Sequence, residues 1–157
     1  MALDAVVELH RANGDRRVPI GEFYRLPGET PHIETVLEPG EMITAVTVPG
    51  GDAARNSYYL KLRDRASFEF ALVSTAVGLA VRDGVIQDVR VAAGGVGTRP
   101  WRLPDVEAVL RGHRPDDSAL RQAASRASEG ARPATQNGFK QILLRRAVLR
   151  ALQTVSV

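Results

Sequence analysis

The sequence has one dense cluster of charged side chains, Lys61–Arg65, in which a lysine, two arginines and an aspartate occur within five residues. The residues before it alternate as in a β-strand, which places Lys61 and Arg63 on the same face. Two neighbouring cations can hold an anion or the electron-rich edge of a cofactor, and Ser67 adds a hydroxyl nearby. The same residues also fit a solvent-exposed loop with internal ion pairs, in which Glu69 either faces water or pairs with an arginine. Residue types alone favour the loop.

A glycine-rich segment, Gly94–Gly97, follows an apolar strand, as phosphate-binding loops do. In such loops a helix begins directly after the glycines, and the P-loop also carries a Lys-Ser/Thr pair. Here Pro100 stands where the helix would begin, and no such pair follows. The segment is therefore predicted to be a β-bulge or the exit of a strand.

The residue types needed for metal or nucleophilic chemistry are scarce. The chain has no cysteine, which excludes disulfides, thiolate metal sites and cysteine nucleophiles. Its three histidines, His10, His32 and His113, are far apart in the sequence, so a zinc site is not expected. A serine hydrolase is not expected either, because the G-x-S-x-G motif is missing. We therefore predict no catalytic residue and no metal ligand in this chain.

The composition is typical of a folded globular protein. The 157 residues, 44% of them apolar and 25% charged, fit one domain or one small domain with an appendage. No apolar stretch has the length of a membrane span, and the first residues lack the features of a secretory signal, so a cytoplasmic location without membrane contact is expected. The net charge of +3, without basic runs interleaved with aromatic residues, argues against nucleic-acid binding.

The first third of the chain predicts mainly strands. Ala5–His10 and Arg16–Ile20 flank an Asn-Gly turn signal and are expected to form a hairpin. A helical turn over Gly21–Leu26 and a strand over Met42–Val48 follow. Because an isolated hairpin is barely stable, further strands must pair with it. We expect those partners to lie upstream of this chain.

The central segment predicts three strands. Tyr58–Arg63 alternates, with Leu60 and Leu62 on the face opposite Lys61. Phe70–Val81 is apolar except for Ser74 and Thr75, which suits a strand buried on both faces or, as the alternative, a buried helix. The Asp-Gly pair after it favours a hairpin with Val85–Val91.

The last third predicts three helices. The first begins at Pro104 and the second is capped by the residues near Asp116. Asn137 can cap the third, whose inner stripe keeps helical spacing. Three further apolar residues predict that this helix is covered on a second face: Phe139, Ile142 and Leu143. The chain is therefore predicted to be an α+β protein, in which an antiparallel sheet of three main strands is covered by C-terminal helices and preceded by an extended β-hairpin segment.

Several ordered motifs closely resemble segments of the FAD-binding subunits of the xanthine dehydrogenase (molybdenum hydroxylase) family, and the aldehyde oxidoreductase type in particular. They lie at Leu26–Glu41, Tyr59–Ser74, Gly94–Val96, Pro100–Arg102, Gly130–Pro133 and Asn137–Lys140. The resemblance implies that residues 1–55 are the tail end of a FAD-binding (PCMH-type) region. It implies that residues 56–157 are a domain similar to the C-terminal domain of CO dehydrogenase flavoprotein.

The resemblance also implies a function. The chain would contribute one wall of a flavin site in an oxidoreductase that transfers electrons from molybdenum and iron–sulfur centres to an acceptor. The partners implied are a molybdopterin-binding large subunit, an iron–sulfur small subunit and the upstream FAD-binding half. The family's Gly-rich pyrophosphate loops have no counterpart here, so FAD is expected to bind only with the missing N-terminal region, and the chain alone is expected to be inactive. The alternative is a stand-alone assembly domain that docks the iron–sulfur or molybdenum subunit without flavin chemistry of its own.

Six residues are implied as neighbours of the cofactor. Lys61 and Ile43 resemble residues that contact FAD, and a cation beside a flavin tunes its potential. The other four lie where the family has a charged loop near the flavin: Arg63, Asp64, Arg65 and Ser67.

Overall fold

The computed structural model describes residues 1–156 and divides into two compact units. The first unit comprises Met1 and Leu3–Gly50, and the second comprises Ala2 and the chain from Gly51 onward. Both units combine antiparallel β-structure with helices, so the predicted α+β class is confirmed.

The first unit is a three-stranded antiparallel sheet with the order β2-β1-β3. Its elements are β1 (Val6–Arg11), β2 (Gly14–Pro19), the short helix α1 (Ile20–Phe23) and β3 (Met42–Thr47). The predicted hairpin is confirmed, since Val7 lies opposite Val18 in the β1–β2 register. The expectation that its partners lie upstream is wrong for the edge of β1, because β3 pairs with that edge within this chain.

A small apolar cluster holds the first unit together. It consists of Val7, Leu9, Val18 and Phe23, all buried. The alternation of β1 directs Val7 and Leu9 to the same face, where α1 contributes Phe23. All six side chains of β3 are exposed.

The second unit contains a four-stranded antiparallel sheet with the order β4-β5-β6-β7. Its elements are the short helix α2 (Asp52–Arg55), β4 (Ser57–Leu62), β5 (Val73–Arg82), β6 (Val85–Gly94), β7 (Trp101–Arg102), α3 (Pro104–Leu110), α4 (Asp117–Ser125), a 3₁₀ turn (Arg126–Ser128) and α5 (Phe139–Val155). The three predicted main strands are present, and β7 adds a short fourth strand.

The tight turn between β5 and β6 confirms the Asp-Gly prediction. Asp83 has a φ of 54° and Gly84 a φ of 74°, so both central residues are left-handed, as the preferred two-residue hairpin turn requires. The predicted start of β5 at Phe70 is wrong. The strand begins at Val73, and Phe70 is 95% exposed.

The helices α3 and α5 pack against this sheet, and α4 packs against both of them, so that helices and strands share one core. The strands contribute large apolar residues to this core, among them Val73, Val77, Leu79, Val89 and Val91. The predicted inner stripe of α5 is confirmed, since all of its members are buried: Leu144, Val148, Ala151, Leu152 and Val155.

The helix ends agree only partly with the sequence prediction. The carboxylate of Asp116 accepts the N–H of Ala119 at 2.8 Å and caps α4 as expected. Asn137 does not cap α5, because Gly138 occupies the N-cap position. The prediction that α5 is covered on a second face is also wrong within residues 1–156. Phe139 is 51% and Ile142 57% exposed.

Candidate functional site

The strand β4 is an edge strand of this sheet, and its side chains alternate between the two faces. Leu60 and Leu62 pack against the apolar core, as the sequence predicted. Tyr59 and Lys61 point to the opposite face and are exposed. Within residues 1–156, the ammonium of Lys61 makes no hydrogen bond or ion pair.

Lys61 begins a row of three residues that crosses the sheet. It lies directly opposite Ser74 on β5, and Ser74 lies directly opposite Gly94 on β6. Residues opposite each other in an antiparallel pair share a face, so the ammonium and the hydroxyl project from the same side. A Cβ on Gly94 would lie 2.6 Å from the Oγ of Ser74, so glycine leaves room for that hydroxyl. We call Lys61, Ser74 and Gly94 the cross-strand row.

The charged cluster itself continues from β4 into a loop that is held by internal contacts. The N–H of Leu72 donates to the carbonyl of Leu62 at 2.9 Å and closes the loop. The guanidinium of Arg63 donates to the carbonyl of Ser67 at 3.0 Å. Arg65 forms an ion pair with Glu69, with 3.6 Å between Nε and Oε2. The predicted pairing of Glu69 with an arginine is therefore confirmed, whereas Lys61 lies on the strand and not in the loop.

The side chains of Asp64 and Ser67 are exposed on this loop. Two large apolar side chains join them at its surface, since Phe68 is 104% and Phe70 95% exposed. Single exposed apolar residues are common, but two fully exposed phenylalanines close together indicate a surface that another molecule covers. Sequence analysis missed this feature, because the apolar run after Phe70 suggested a buried strand.

Ile43, the remaining predicted site residue, belongs to the first unit. It lies on β3 opposite Leu9 of β1 and is 45% exposed. Its side chain is therefore available for an apolar contact.

The segment before β3 is held in place by a carboxylate that sequence analysis overlooked. Both oxygens of Glu41 accept hydrogen bonds of 2.6 Å from the guanidinium of Arg16. The N–H of Glu38 donates to the same carboxylate at 2.8 Å. These hydrogen bonds, first of all the one from Arg16, lower the pKa of Glu41 to about 2. The ion pair thus fixes the chain two residues before Ile43.

A separate cleft of about 560 Å³ opens in the second unit. Its walls come from β7, α3, the 3₁₀ turn, residues 129–137 and the beginning of α5. The cationic residues that line it are Arg102, Arg126, Arg132 and Lys140, and the acidic ones are Asp105 and Glu129. None of the six predicted site residues lines this cleft.

The glycine-rich segment lies beside the cleft and is a strand exit, as the sequence predicted. Gly94 ends β6, and Gly95 has a φ of 72°, which favours glycine. A Cβ on Gly97 would lie 2.3 Å from the indole nitrogen of Trp101. The ammonium of Lys140 donates to the carbonyl of Gly95 at 2.8 Å. The glycines therefore allow close packing where the chain leaves β6.

One buried carboxylate has a structural role near the same place. Glu107 is 6% exposed, pairs with Arg102, and accepts the N–H of Val91 at 2.8 Å. It thereby connects α3 to β6 and β7. No sequence motif marks this pair, because its members meet only after the helix packs on the sheet.

Within residues 1–156, no group of three or more histidine and acidic side chains is arranged to hold a metal ion. Among the helices of the same residues, none has the length and apolar character needed to cross a membrane.

Comparison with protein families shows which family the chain belongs to. Residues 57–155 match the family described as the CO dehydrogenase flavoprotein C-terminal domain. The chain belongs to this family. Residues 1–51 match the family described as the FAD binding domain in molybdopterin dehydrogenase. The resemblance stated above is thus confirmed in both parts of the chain.

Curated relatives agree with this membership. The chain is 42% identical to the aldehyde oxidoreductase FAD-binding subunit PaoB of Escherichia coli over 96% of its own length and 44% of the relative's. It is 31% identical to the glyceraldehyde dehydrogenase medium chain of Sulfolobus acidocaldarius, over 84% of this chain and 44% of that one. The chain therefore spans about half the length of the curated relatives it matches.

A solved structure shares the fold over nearly the whole chain. The carbon monoxide dehydrogenase of Hydrogenophaga pseudoflava superposes with a TM-score of 0.85 at 26% identity. The match covers 98% of this chain and 53% of the other.

Proposed function

We propose that this chain is the C-terminal part of the FAD subunit of a molybdenum-containing hydroxylase, of the aldehyde or xanthine dehydrogenase kind. In this proposal it contributes one wall of the flavin site through which electrons pass from molybdenum and iron–sulfur centres to an acceptor. The cross-strand row carries the proposal, because it offers an unpaired cation and a hydroxyl on a sheet that belongs to a flavoprotein family.

The residues of the row fit the edge of a flavin ring. The ring system is flat and has hydrogen-bond acceptors along its pyrimidine edge, and FAD supplies the electron-carrying chemistry. Lys61 offers an exposed ammonium, Ser74 a largely buried hydroxyl, and Gly94 adds no side chain that would obstruct a flat ligand. Residues 1–156 contain no Gly-rich pyrophosphate loop, so in this proposal the remainder of the FAD site corresponds to the part of the relatives that lies outside the match.

Each of the six predicted site residues has a role in this proposal. The Nζ of Lys61 holds a positive charge at the cofactor and favours electron density there. Ile43 supplies an apolar contact. The loop residues Arg63, Asp64, Arg65 and Ser67 shape the border of the site, since the Arg63–Ser67 and Arg65–Glu69 contacts define the conformation of the loop.

The proposed partners follow from the same assignment. Residues 1–55 would complete the upstream FAD-binding half, and residues 56–157 would form the C-terminal domain. The relatives are named as a subunit and as a medium chain, which supports a hetero-oligomer with a molybdopterin-binding large subunit and an iron–sulfur small subunit. We place this assembly in the cytoplasm.

An absorbance titration with FAD tests the proposal. The isolated chain should remain colourless, because half of the site is missing. Co-expression with the part of PaoB that lies outside the match should give a yellow complex with one flavin per pair of polypeptides. A stoichiometric yellow protein from this chain alone would contradict the proposal, as would a colourless complex.

The exposed phenylalanines favour a second candidate function. Phe68 and Phe70 present apolar area that a partner subunit could cover. The chain would then be an assembly domain that docks the iron–sulfur or molybdenum subunit without flavin chemistry. Binding of either subunit in the absence of FAD, together with a colourless reconstituted complex, would favour this function over the first.

A further inference from the structure

The cleft in the second unit has an apolar floor. Three buried side chains line it, Val106 of α3, Ala127 of the 3₁₀ turn and Leu144 of α5. Two half-buried side chains that pack against the same core line it as well, Val96 and Leu103. A concave site of about 560 Å³ with apolar walls has the size and character of a small-molecule site. The floor therefore suits the apolar body of a ligand.

The indole of Trp101 lines the same cleft and is held in place by two neighbours. Gly97 leaves room for the indole nitrogen, because a Cβ at this position would overlap with it. The guanidinium of Arg99 lies 4.8 Å from the centre of the ring, within the range of a cation–π contact. Trp101 nevertheless remains 37% exposed. This part of the cleft is thus preformed and still accessible to a ligand.

Four cations line the cleft, and neighbouring carboxylates neutralise two of them. Arg102 pairs with Glu107, and Arg126 pairs with Glu129 at 2.8 Å. A third cation, Lys140, donates to a backbone carbonyl, which carries no net charge. Since an ammonium has three donors, this contact leaves both the charge and two donors of Lys140 available to an anion.

Arg132 is the remaining cation of the cleft. Its side chain is exposed between the 3₁₀ turn and α5 and makes no hydrogen bond or ion pair within residues 1–156. One further carboxylate, Asp105, lines the cleft, and it too has no ion pair among the same residues. Two uncompensated positive charges thus stand against one negative charge. A surplus of one positive charge suits a monoanion better than a phosphate dianion.

We propose that this cleft binds a small carboxylate with an apolar body. The carboxylate would pair with Arg132, because a guanidinium presents two parallel N–H donors to a carboxylate, and the charge of Lys140 would add to the attraction. The apolar body would contact the floor and the indole of Trp101. None of the residues assigned to the flavin site lines the cleft, so this site goes beyond the proposed function.

Tryptophan fluorescence tests the site, because Trp101 is the only tryptophan of the chain. The full chain is titrated at neutral pH with cyclohexanecarboxylate, which does not absorb where tryptophan is excited or emits. We expect a saturable change in emission with a Kd of about 1 mM or tighter. Cyclohexanecarboxamide has the same shape without the charge and should bind at least about 10-fold more weakly. Acetate has the charge without the apolar body and should also bind at least about 10-fold more weakly.

Variants of Arg132 show whether this residue binds the carboxylate. Arg132→Gln should weaken the binding of cyclohexanecarboxylate about 10-fold, because the paired cation is lost. Arg132→Lys keeps the charge but not the two parallel donors, so it should weaken binding less. Arg146→Gln is the matched control, since this arginine is exposed on α5 outside the cleft and its loss should leave the affinity unchanged. Equal thermal unfolding, followed by circular dichroism, establishes that all variants are folded.

Several results of these titrations would overturn the carboxylate site. One is the absence of a saturable change up to about 100 mM cyclohexanecarboxylate, far above the expected Kd. Equal binding of the acid and the amide is another, as is an affinity that Arg132→Gln leaves unchanged or that Arg146→Gln lowers equally. Tighter binding of inorganic phosphate would assign the cleft to a different class of anion. FAD takes no part in these titrations, so each of these results would leave the proposed function standing.

Discussion

The two faces of the sheet in the second unit differ in the size and polarity of their side chains. Along β5, the face toward the helices carries Val73, Val77 and Leu79, whereas the opposite face carries Ser74, Ala76, Gly78 and Ala80. Large apolar residues stabilise the fold on the first face. Small residues on the second face allow other groups to approach the strand closely: α2 at Gly78, and the proposed flavin near Ser74. One face of the strand thus contributes to the main core, and the small residues of the other face admit α2 and, in the proposal, the flavin.

The largest loss of stability is expected for a substitution in the core between the sheet and the helices. Leu152→Ala should lower the free energy of unfolding by about 2–5 kcal/mol, because Leu152 is fully buried and its removal leaves a cavity. Chemical denaturation monitored by circular dichroism measures this loss. Gln153→Ala, one residue further along α5 and only half-buried, is the control and should change stability far less. Equal effects for both variants would contradict the account of this face.

A smaller loss of stability is expected at Gly78, where α2 packs closely on the opposite face of the sheet. A Cβ on Gly78 would lie 2.4 Å from the carbonyl oxygen of Ala53, a backbone atom that no rotamer change can move. Gly78→Ala should therefore destabilise the chain by about 1–3 kcal/mol, because α2 must shift. Gly50→Ala is the matched control, since its Cβ would meet nothing within 4 Å. A neutral Gly78→Ala in the same denaturation experiment would show that α2 does not pack as described.

The sheet of the first unit differs from both faces of the second, because the Arg16–Glu41 ion pair contributes to its stability in addition to a small apolar cluster. The pKa of Glu41 is about 2, below its ordinary value of 4.5, so the stabilisation is present above pH 4.5 and is lost as the pH falls toward 2. The protection factors of the amides of Val7 and Leu9, that is, their exchange rates relative to those of the unfolded chain at the same pH, should fall across this window. Glu41→Gln should make these protection factors less dependent on pH there. An identical acid dependence in the variant would assign the effect to other carboxylates.

The smallest effect on stability is expected at Lys61. Its ammonium has no partner within residues 1–156, so Lys61→Ala should change the free energy of unfolding by no more than about 0.5 kcal/mol. Lys140→Ala is a useful contrast, because it removes the bond to the carbonyl of Gly95 and should cost about 1 kcal/mol. A strongly destabilised Lys61→Ala would mean that this lysine serves the fold.

The sequence predicted those parts of the structure that depend on local pattern. Alternation placed Leu60 and Leu62 inward and Lys61 outward, and the Asp83–Gly84 turn followed from two residues that accept left-handed backbone. The stripe of α5 followed from helical spacing. In each case the information lies within a few residues along the chain.

The parts that the sequence did not predict depend on contacts between distant residues. The pairing of β1 with β3 joins residues more than thirty positions apart, and Arg16 and Glu41 are 25 positions apart. The environment of Phe70 was predicted incorrectly for a different reason. An exposed apolar residue next to an apolar strand has the same pattern as a buried one, so its environment cannot be inferred from residue type.

The reduction potential of the bound flavin shows whether Lys61 lies at the cofactor. Lys61→Ala is introduced into the complex formed with the remaining part of PaoB, and the midpoint potential is compared with that of wild type and of Arg25→Ala. We expect a lower potential for Lys61→Ala, because a positive charge at the cofactor favours its reduction, and no change for Arg25→Ala. An unchanged potential with undiminished FAD affinity in Lys61→Ala would contradict the claim that the cross-strand row forms a wall of the flavin site.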